Sequence, residues 1–158
     1  MNLLQRWKFF LVPCSLCLVP VMAPAHHSFS MFDRDTEMAL TGSVERWAFN
    51  NPHAWLYINV ENDAGEIIEW GFEGGAPPQL VRQGITGRTF NPGDEVTIMF
   101  SPLADGRPGG AMCWVKLPDD SYVRPADGGC GSRDPESIER WETWLEQGIT
   151  SSKEVAAQ

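Results

Sequence analysis

The strongest constraint on the fold of this chain is the order of its predicted elements. Several short strand-like segments lie before and after one helix-like segment. In the clearest segment, "AWLYINVE", Leu56, Ile58 and Val60 alternate with aromatic or polar neighbours, so one face of the strand is aliphatic. Turn sequences rich in Asn, Asp, Gly and Pro separate the segments, as is typical of an all-β domain. The five predicted strands are residues 37–49, 54–61, 66–73, 95–103 and 111–118, and residues 121–124 can extend the last as a hairpin.

A short helix is predicted between the third and fourth strands. Residues 76–84 have prolines where a first turn tolerates them and Gly84 where a helix ends. Three strands, a helix and two strands is the element order of a five-stranded OB-type barrel. The sequence therefore predicts a mainly β, OB-like barrel, although the strand lengths also permit another small open barrel or a sandwich. Gly42, inside the first strand, predicts a bulge or bend there.

An amphipathic helix is predicted beyond the barrel, over residues 134–148. Asp134 is placed to cap its first turn, Pro135 suits its first position, and Trp141 lies on an apolar stripe. We expect this helix to dock on the barrel. The predicted organisation is an export signal over 1–25, an OB-like domain over 26–125, a linker and helix over 126–150, and a flexible tail over 151–158.

The first twenty-five residues have the features of an export signal. Arg6 and Lys8 precede an apolar run that is too short to span a bilayer comfortably. The sequence "APA" that follows has the small-x-small form of a cleavage site. An uncleaved membrane anchor is the alternative, and two prolines within the run disfavour it. We therefore predict cleavage after Ala25, a periplasmic or secreted protein, and no membrane attachment after cleavage.

Charge and cysteine content narrow the class of function. Loss of Arg6 and Lys8 would leave 10 basic and 21 acidic residues, a net charge of −11 that argues against binding nucleic acid.

Two of the four cysteines lie in the predicted signal. The remaining pair, Cys113 and Cys130, favours a disulfide in an exported protein. Two free thiols or a thiolate metal site are the alternatives, but the spacing fits no common zinc pattern.

The three histidines of the chain point to a metal site. Cleavage after Ala25 would give His26 a free amine beside its imidazole, and the two groups together could chelate one ion. His53, in the sequence "NPH", could complete the site, with His27 and Met31 as auxiliary ligands. Imidazole nitrogens suit copper and zinc, and copper is the tightest binder, so copper is the expected cofactor. The alternative is that the two N-terminal histidines only favour cleavage and that His53 only completes a turn.

A metal-free binding function is the second hypothesis. In an OB-like barrel the loops around residues 50–53 and 104–110 would flank the usual ligand face. Candidate contacts with a small molecule or a periplasmic partner protein are Trp47, Asn51, Trp55, Asp105 and Arg107. No nucleophile elbow is present in the sequence, so we expect a binding or accessory protein rather than an enzyme. A small copper oxidoreductase is the third hypothesis.

Four motifs, in order, resemble a family of bacterial exported proteins. They are "AHHSFSMFD" at the cleavage point, "LTGSV" followed by "WAFNNPHAWL", "DAGEIIEWGFE", and "PGDEVTI" followed by "PLADGRPGG". The family is filed as domain of unknown function 6152, and the likeness covers about residues 25–118. The resemblance implies an exported small β domain and brings no established activity, so the function has to be argued from the residues themselves.

Overall fold

The chain folds into a closed β-barrel, with one helix between its strands and two helices after them in the described residues. The computed structural model describes residues 29–131 and 134–157. The strands are β1 (Met38–Ala48), β2 (Trp55–Glu61), β3 (Ile67–Glu73), β4 (Glu95–Pro102), β5 (Gly109–Lys116) and β6 (Tyr122–Val123). The helices are α1 (Pro77–Arg82), α2 (Glu136–Glu146) and α3 (Ser152–Ala156), preceded by a 3-10 turn at Phe29–Met31. The strands and the first two helices lie where the sequence predicts them, apart from small differences at their ends.

The strand pairing is that of an OB-like barrel. The hydrogen-bonded order is β3-β2-β1-β4-β5-β6, with antiparallel neighbours throughout. A short parallel pairing of Gly71–Glu73 with Gly109–Ala111 joins β3 to β5 and closes the barrel. Helix α1 lies between β3 and β4 in the chain. The predicted fold class is therefore confirmed.

The barrel interior is built from the aliphatic face that the alternation predicts. Leu56 and Ile58 of β2 are fully buried, together with Phe72 of β3 and Phe100 of β4. The rings of Phe72 and Phe100 meet edge to face, with centroids 4.8 Å apart. The residues that alternate with Leu56, Ile58 and Phe72 face outward, which is where the candidate sites described below are found.

The irregularity in β1 lies three residues beyond the predicted position. The register shift falls between Val44 and Arg46, so Glu45 is the extra residue, and the prediction of a bulge at Gly42 is wrong. Gly42 allows close packing instead: a Cβ there would lie 2.5 Å from the carbonyl oxygen of Asn59. The glycine therefore marks a close approach of two strands, which is the other common reason for glycine within a strand.

Helix α2 docks on the barrel through Trp141, Trp144 and Leu145. Trp141 is 1% exposed and packs in a buried cluster with Met99 of β4. Asp134 caps the first turn as predicted, since its Oδ1 accepts a 2.9 Å hydrogen bond from the backbone N–H of Ser137. The same buried cluster contains the disulfide between Cys113 and Cys130, which confirms the predicted bond.

Residues 151–157, which fall in the predicted tail, include helix α3 and contact the start of β1. The backbone N–H of Ser152 donates to Glu37 O (2.9 Å), and the N–H of Glu37 donates to Ser152 Oγ (3.0 Å). This contact joins residues more than a hundred positions apart in the sequence, so local patterning does not show it. The predicted export signal, with His26 and His27, lies outside the described residues. None of the helices within 29–131 and 134–157 is long and apolar enough to cross a membrane.

Candidate functional site

His53 and two carboxylates converge beside the mouth of the barrel. We call this group, His53, Glu73 and Asp127, the His53 cluster. Nδ1 of His53 lies 3.1 Å from Oε1 of Glu73 and 3.3 Å from Oδ2 of Asp127. One donor atom from each residue lies within 4.8 Å of the others, and all three side chains are partly buried. The cluster unites three segments that are far apart in the sequence.

Backbone hydrogen bonds fix the positions of these three segments. His53 ends the turn between β1 and β2, and Ala54 next to it exchanges hydrogen bonds with the residues that follow Glu73: Gly74 N donates to Ala54 O (2.8 Å) and Ala54 N to Gly75 O (3.1 Å). Gly75 N also donates to Pro125 O (2.7 Å), which brings in the chain that leads to Asp127. Position 74 has no room for a side chain, because a Cβ would lie 2.8 Å from the backbone oxygen of Pro125.

Asp127 is the most buried member of the His53 cluster. Its side chain is 9% exposed, and its Oδ1 accepts a hydrogen bond from Gly129 N (2.8 Å). Oδ2, which points toward His53, is buried and makes no hydrogen bond within the described part of the chain, since its 3.3 Å contact with Nδ1 is poorly aligned. A buried carboxylate oxygen without a hydrogen bond is unfavourable, so this atom favours a cation beside it.

The His53 cluster holds more acceptors than one imidazole can satisfy. Nδ1 of His53 also lies 3.2 Å from the carbonyl oxygen of Gly74, so three oxygen atoms surround a single nitrogen. One ring N–H can donate to one of them in good geometry. The distances also suit ligands of one metal ion, because donors about 2.0–2.2 Å from an ion and at right angles are about 3 Å apart. Two arrangements fit: an N–H at Nδ1 of His53 that donates to one of these oxygens, or a bound metal ion.

The chain enters the described structure next to this cluster. The ring of Phe29 packs on Gly128, where a Cβ would lie 2.6 Å from two ring atoms. Gly128 follows Asp127 directly in the sequence. The described chain therefore begins beside the segment that carries Asp127.

A groove on the same outer face unites three other residues that the sequence singles out. Met31, Trp55 and Arg107 line it, and its volume is about 320 Å³. Trp55 pairs directly with Glu73 across β2 and β3, so the groove begins beside the His53 cluster. Met31, predicted as an auxiliary metal ligand, is 44% exposed in this groove.

The other candidate contacts lie elsewhere. Trp47 packs edge to face on Phe90 and donates from Nε1 to Thr86 O (2.9 Å), so it supports the barrel. Asn51 is exposed in the turn before His53, where the Asn51–Pro52 peptide bond is cis. Asp105 accepts hydrogen bonds from the backbone and from Nε of Arg107, which lower the pKa of its carboxyl group and orient the arginine beside the groove.

Glu73 and Asp127 are the members of the cluster that sequence reasoning missed. Each is followed by two glycines, in "EGG" at 73–75 and "DGG" at 127–129. This repeated acid-Gly-Gly pattern is the one local signal that could have found them, because paired glycines allow a backbone to approach closely. The pattern alone does not say that both carboxylates face His53.

The fold and the cluster together define a small OB-like barrel with a candidate cation site outside its mouth. The chain belongs to the family of unknown function DUF6152, whose model matches residues 15–112. No curated protein and no solved structure matches the chain. The matched range includes all three histidines and Glu73, and Asp127 lies beyond its end.

Proposed function

We propose that this protein is an exported copper-binding protein, whose site consists of the His53 cluster and the mature N-terminus. The observation that carries the proposal is the convergence of His53, Glu73 and Asp127 around one point. The buried Oδ2 of Asp127 lacks a hydrogen bond there, and a bound cation would supply its partner.

The N-terminus is the natural source of further ligands. Cleavage after Ala25 would give residue 26 a free amine, and Phe29 already lies against Gly128, beside the cluster. His26 would then add an amine nitrogen and an imidazole nitrogen to the donors of the cluster. In this proposal His27 and Met31 remain auxiliary ligands.

The proposed donor atoms favour copper over other divalent ions. Imidazole and amine nitrogens with carboxylate oxygens form the kind of tetragonal N,O set that Cu²⁺ prefers, and Cu²⁺ is the tightest binder in the first-row series. The predicted mature charge of −11 would attract cations from a distance. Release at lower pH is expected as well, because the imidazole and amine must be deprotonated to bind.

The test is a titration of the protein cleaved after Ala25 with Cu²⁺, followed by electron paramagnetic resonance. We expect one site with nitrogen hyperfine coupling. His53→Gln, Glu73→Gln and Asp127→Asn should each weaken binding at least tenfold, as substitution of a direct ligand would. One extra glycine before His26 should remove the coupling of the terminal amine, and Gly128→Ala should weaken binding by displacing Phe29.

Controls separate this site from adventitious binding to an acidic surface. Asp63→Asn, in an exposed hairpin turn, should leave the affinity unchanged. Equal affinity in His53→Gln and in the unsubstituted protein would refute the proposal. Copper binding that needs His53 but tolerates the extra N-terminal residue would limit the site to the His53 cluster.

A further inference from the structure

The groove beside the His53 cluster has the character of a second binding site, one for an organic molecule. We call it the Trp55 groove. Its volume of about 320 Å³ lies at the lower end of the range typical of small-molecule pockets. None of the residues of the His53 cluster lines it, and Met31, the proposed auxiliary ligand, is the one described residue that it shares with the proposed copper site.

One wall of the Trp55 groove is aromatic. Trp55 and Tyr57 are successive outward residues of β2, with ring planes 26° apart and centroids separated by 6.2 Å. Both rings lie over Gly71 of β3, where a Cβ would be 3.1 Å from Cε1 of Tyr57. Arg46 covers Tyr57, with its guanidinium carbon 3.3 Å from the ring centroid. These contacts hold the aromatic wall in place before any ligand arrives.

The remaining apolar lining comes from different parts of the chain. Leu103 and Pro108 belong to the loop between β4 and β5, while Met31 and Phe32 belong to the segment before β1. The lining also includes Gly71 and Gly110, which have no side chains to fill the space. A groove lined by aromatic rings, apolar side chains and glycines suits a flat ring.

Two exposed charges of opposite sign complete the lining. The side chain of Glu69 makes no ion pair or hydrogen bond within the described ranges, so its carboxylate is available. Arg107 is held by Asp105 through Nε, at 2.8 Å, which leaves the terminal guanidinium nitrogens for a ligand. No ion pair joins Glu69 to Arg107, so a ligand with both charges could satisfy them separately.

We propose that the Trp55 groove binds a zwitterionic aromatic compound of the amino acid class. The ring would lie against Trp55, the ammonium group would face Glu69, and the carboxylate would face Arg107. Opposite charges on the lining match the two charges of such a headgroup, whereas a ligand with a single charge matches only one of the two.

The probe is L-phenylalanine, titrated calorimetrically into the full mature chain treated with a chelator. We expect binding that Glu69→Gln and Arg107→Gln each weaken at least tenfold. Phenethylamine, which lacks the carboxylate, should be sensitive to Glu69→Gln alone. Phenylpropionate, which lacks the ammonium, should be sensitive to Arg107→Gln alone.

Matched substitutions away from the groove serve as controls. Arg82→Gln and Glu136→Gln, both exposed on helices, should leave binding unchanged, and so should His53→Gln, which tests independence from the copper site. Trp55→Ala should abolish binding, and circular dichroism would show whether that variant is folded. The proposal is overturned by absence of L-phenylalanine binding, by binding indifferent to both charge substitutions, or by binding of glucose in its place.

Discussion

Single glycines decide where this chain can bring strands together. Gly42 lets the backbone of β1 approach Asn59 of β2, and Gly74 does the same next to the His53 cluster. At Gly42 the nearest obstacle to a side chain is the carbonyl oxygen of Asn59. At Gly74 it is Cε of Met112 (2.6 Å), followed by the carbonyl oxygen of Pro125 (2.8 Å). A carbonyl oxygen cannot rotate away as a side chain would. Substitution of either glycine should therefore lower the free energy of unfolding, because the new side chain meets these atoms in the folded state.

Gly42→Ala should destabilise the barrel. The new Cβ would lie 2.5 Å from Asn59 O, so β1 and β2 must separate locally. We expect a loss of about 1–3 kcal/mol in the free energy of unfolding, as for other overpacked sites. Urea unfolding followed by tryptophan fluorescence measures it.

Gly87→Ala is the matched control for this substitution. A Cβ at Gly87 would lie 3.7 Å from Phe49, an ordinary contact, so the change should stay within about 0.5 kcal/mol. Equal effects of the two substitutions would contradict the steric explanation.

At the scale of elements, the disulfide holds the segment that carries Asp127. Cys130 is fully buried and joins that segment to Cys113 in β5, and Gly131 N donates to Ser101 Oγ (3.0 Å) on β4. On its other side, Pro125 O accepts the hydrogen bond from Gly75 N. Asp127 therefore lies between two anchored points, and its carboxylate is positioned by contacts on both sides.

A protein with both Cys113→Ala and Cys130→Ala should be less stable and should bind copper more weakly. The bond closes a loop with a sequence separation of 17, so its loss should cost about 3 kcal/mol. Urea unfolding measures the first effect and calorimetric Cu²⁺ titration the second. Unchanged copper affinity in the folded double variant would show that the disulfide does not position Asp127.

At the scale of the whole molecule, the two ends of the described chain are joined. Lys153 of α3 lies 3.1 Å from Oδ2 of Asp33, which also accepts a hydrogen bond from Thr36 (2.7 Å). The hydrogen bond from Thr36, followed by that from Lys153, lowers the pKa of the Asp33 carboxyl below its ordinary value. Protonation of this one group therefore affects contacts at both ends.

The contribution of Asp33 to stability should disappear in acid. Because its pKa is lower in the folded chain, its stabilising effect is present above about pH 4 and is lost as the pH falls through the folded pKa. Asp33→Asn should therefore reduce the fall in the free energy of unfolding between about pH 4 and pH 2. Asp63→Asn is the control, since Asp63 is exposed in a turn. A pH dependence that Asp33→Asn leaves unchanged would contradict this role.

Much of the architecture could be read from local patterns. The alternation in β2, the turn residues between strands and the prolines at the start of α1 each act over a few residues, so the strand order and the OB-like barrel followed from them. The disulfide followed from an even pair of cysteines outside the predicted signal. The position of the bulge did not follow from the sequence, because glycine occurs both at bulges and where two strands approach closely.

The sequence by itself determined the elements, their order and the residues that could serve as ligands, since those depend on local conformational preference and on side-chain chemistry. Only the tertiary structure brought Glu73 and Asp127 to His53, and Met31 and Arg107 to Trp55. These placements depend on the register of β2 with β3, on the parallel pairing of β3 with β5, and on the hydrogen bonds that fix residues 125–131. They are contacts between residues far apart in the chain, and no local pattern specifies the distance between them.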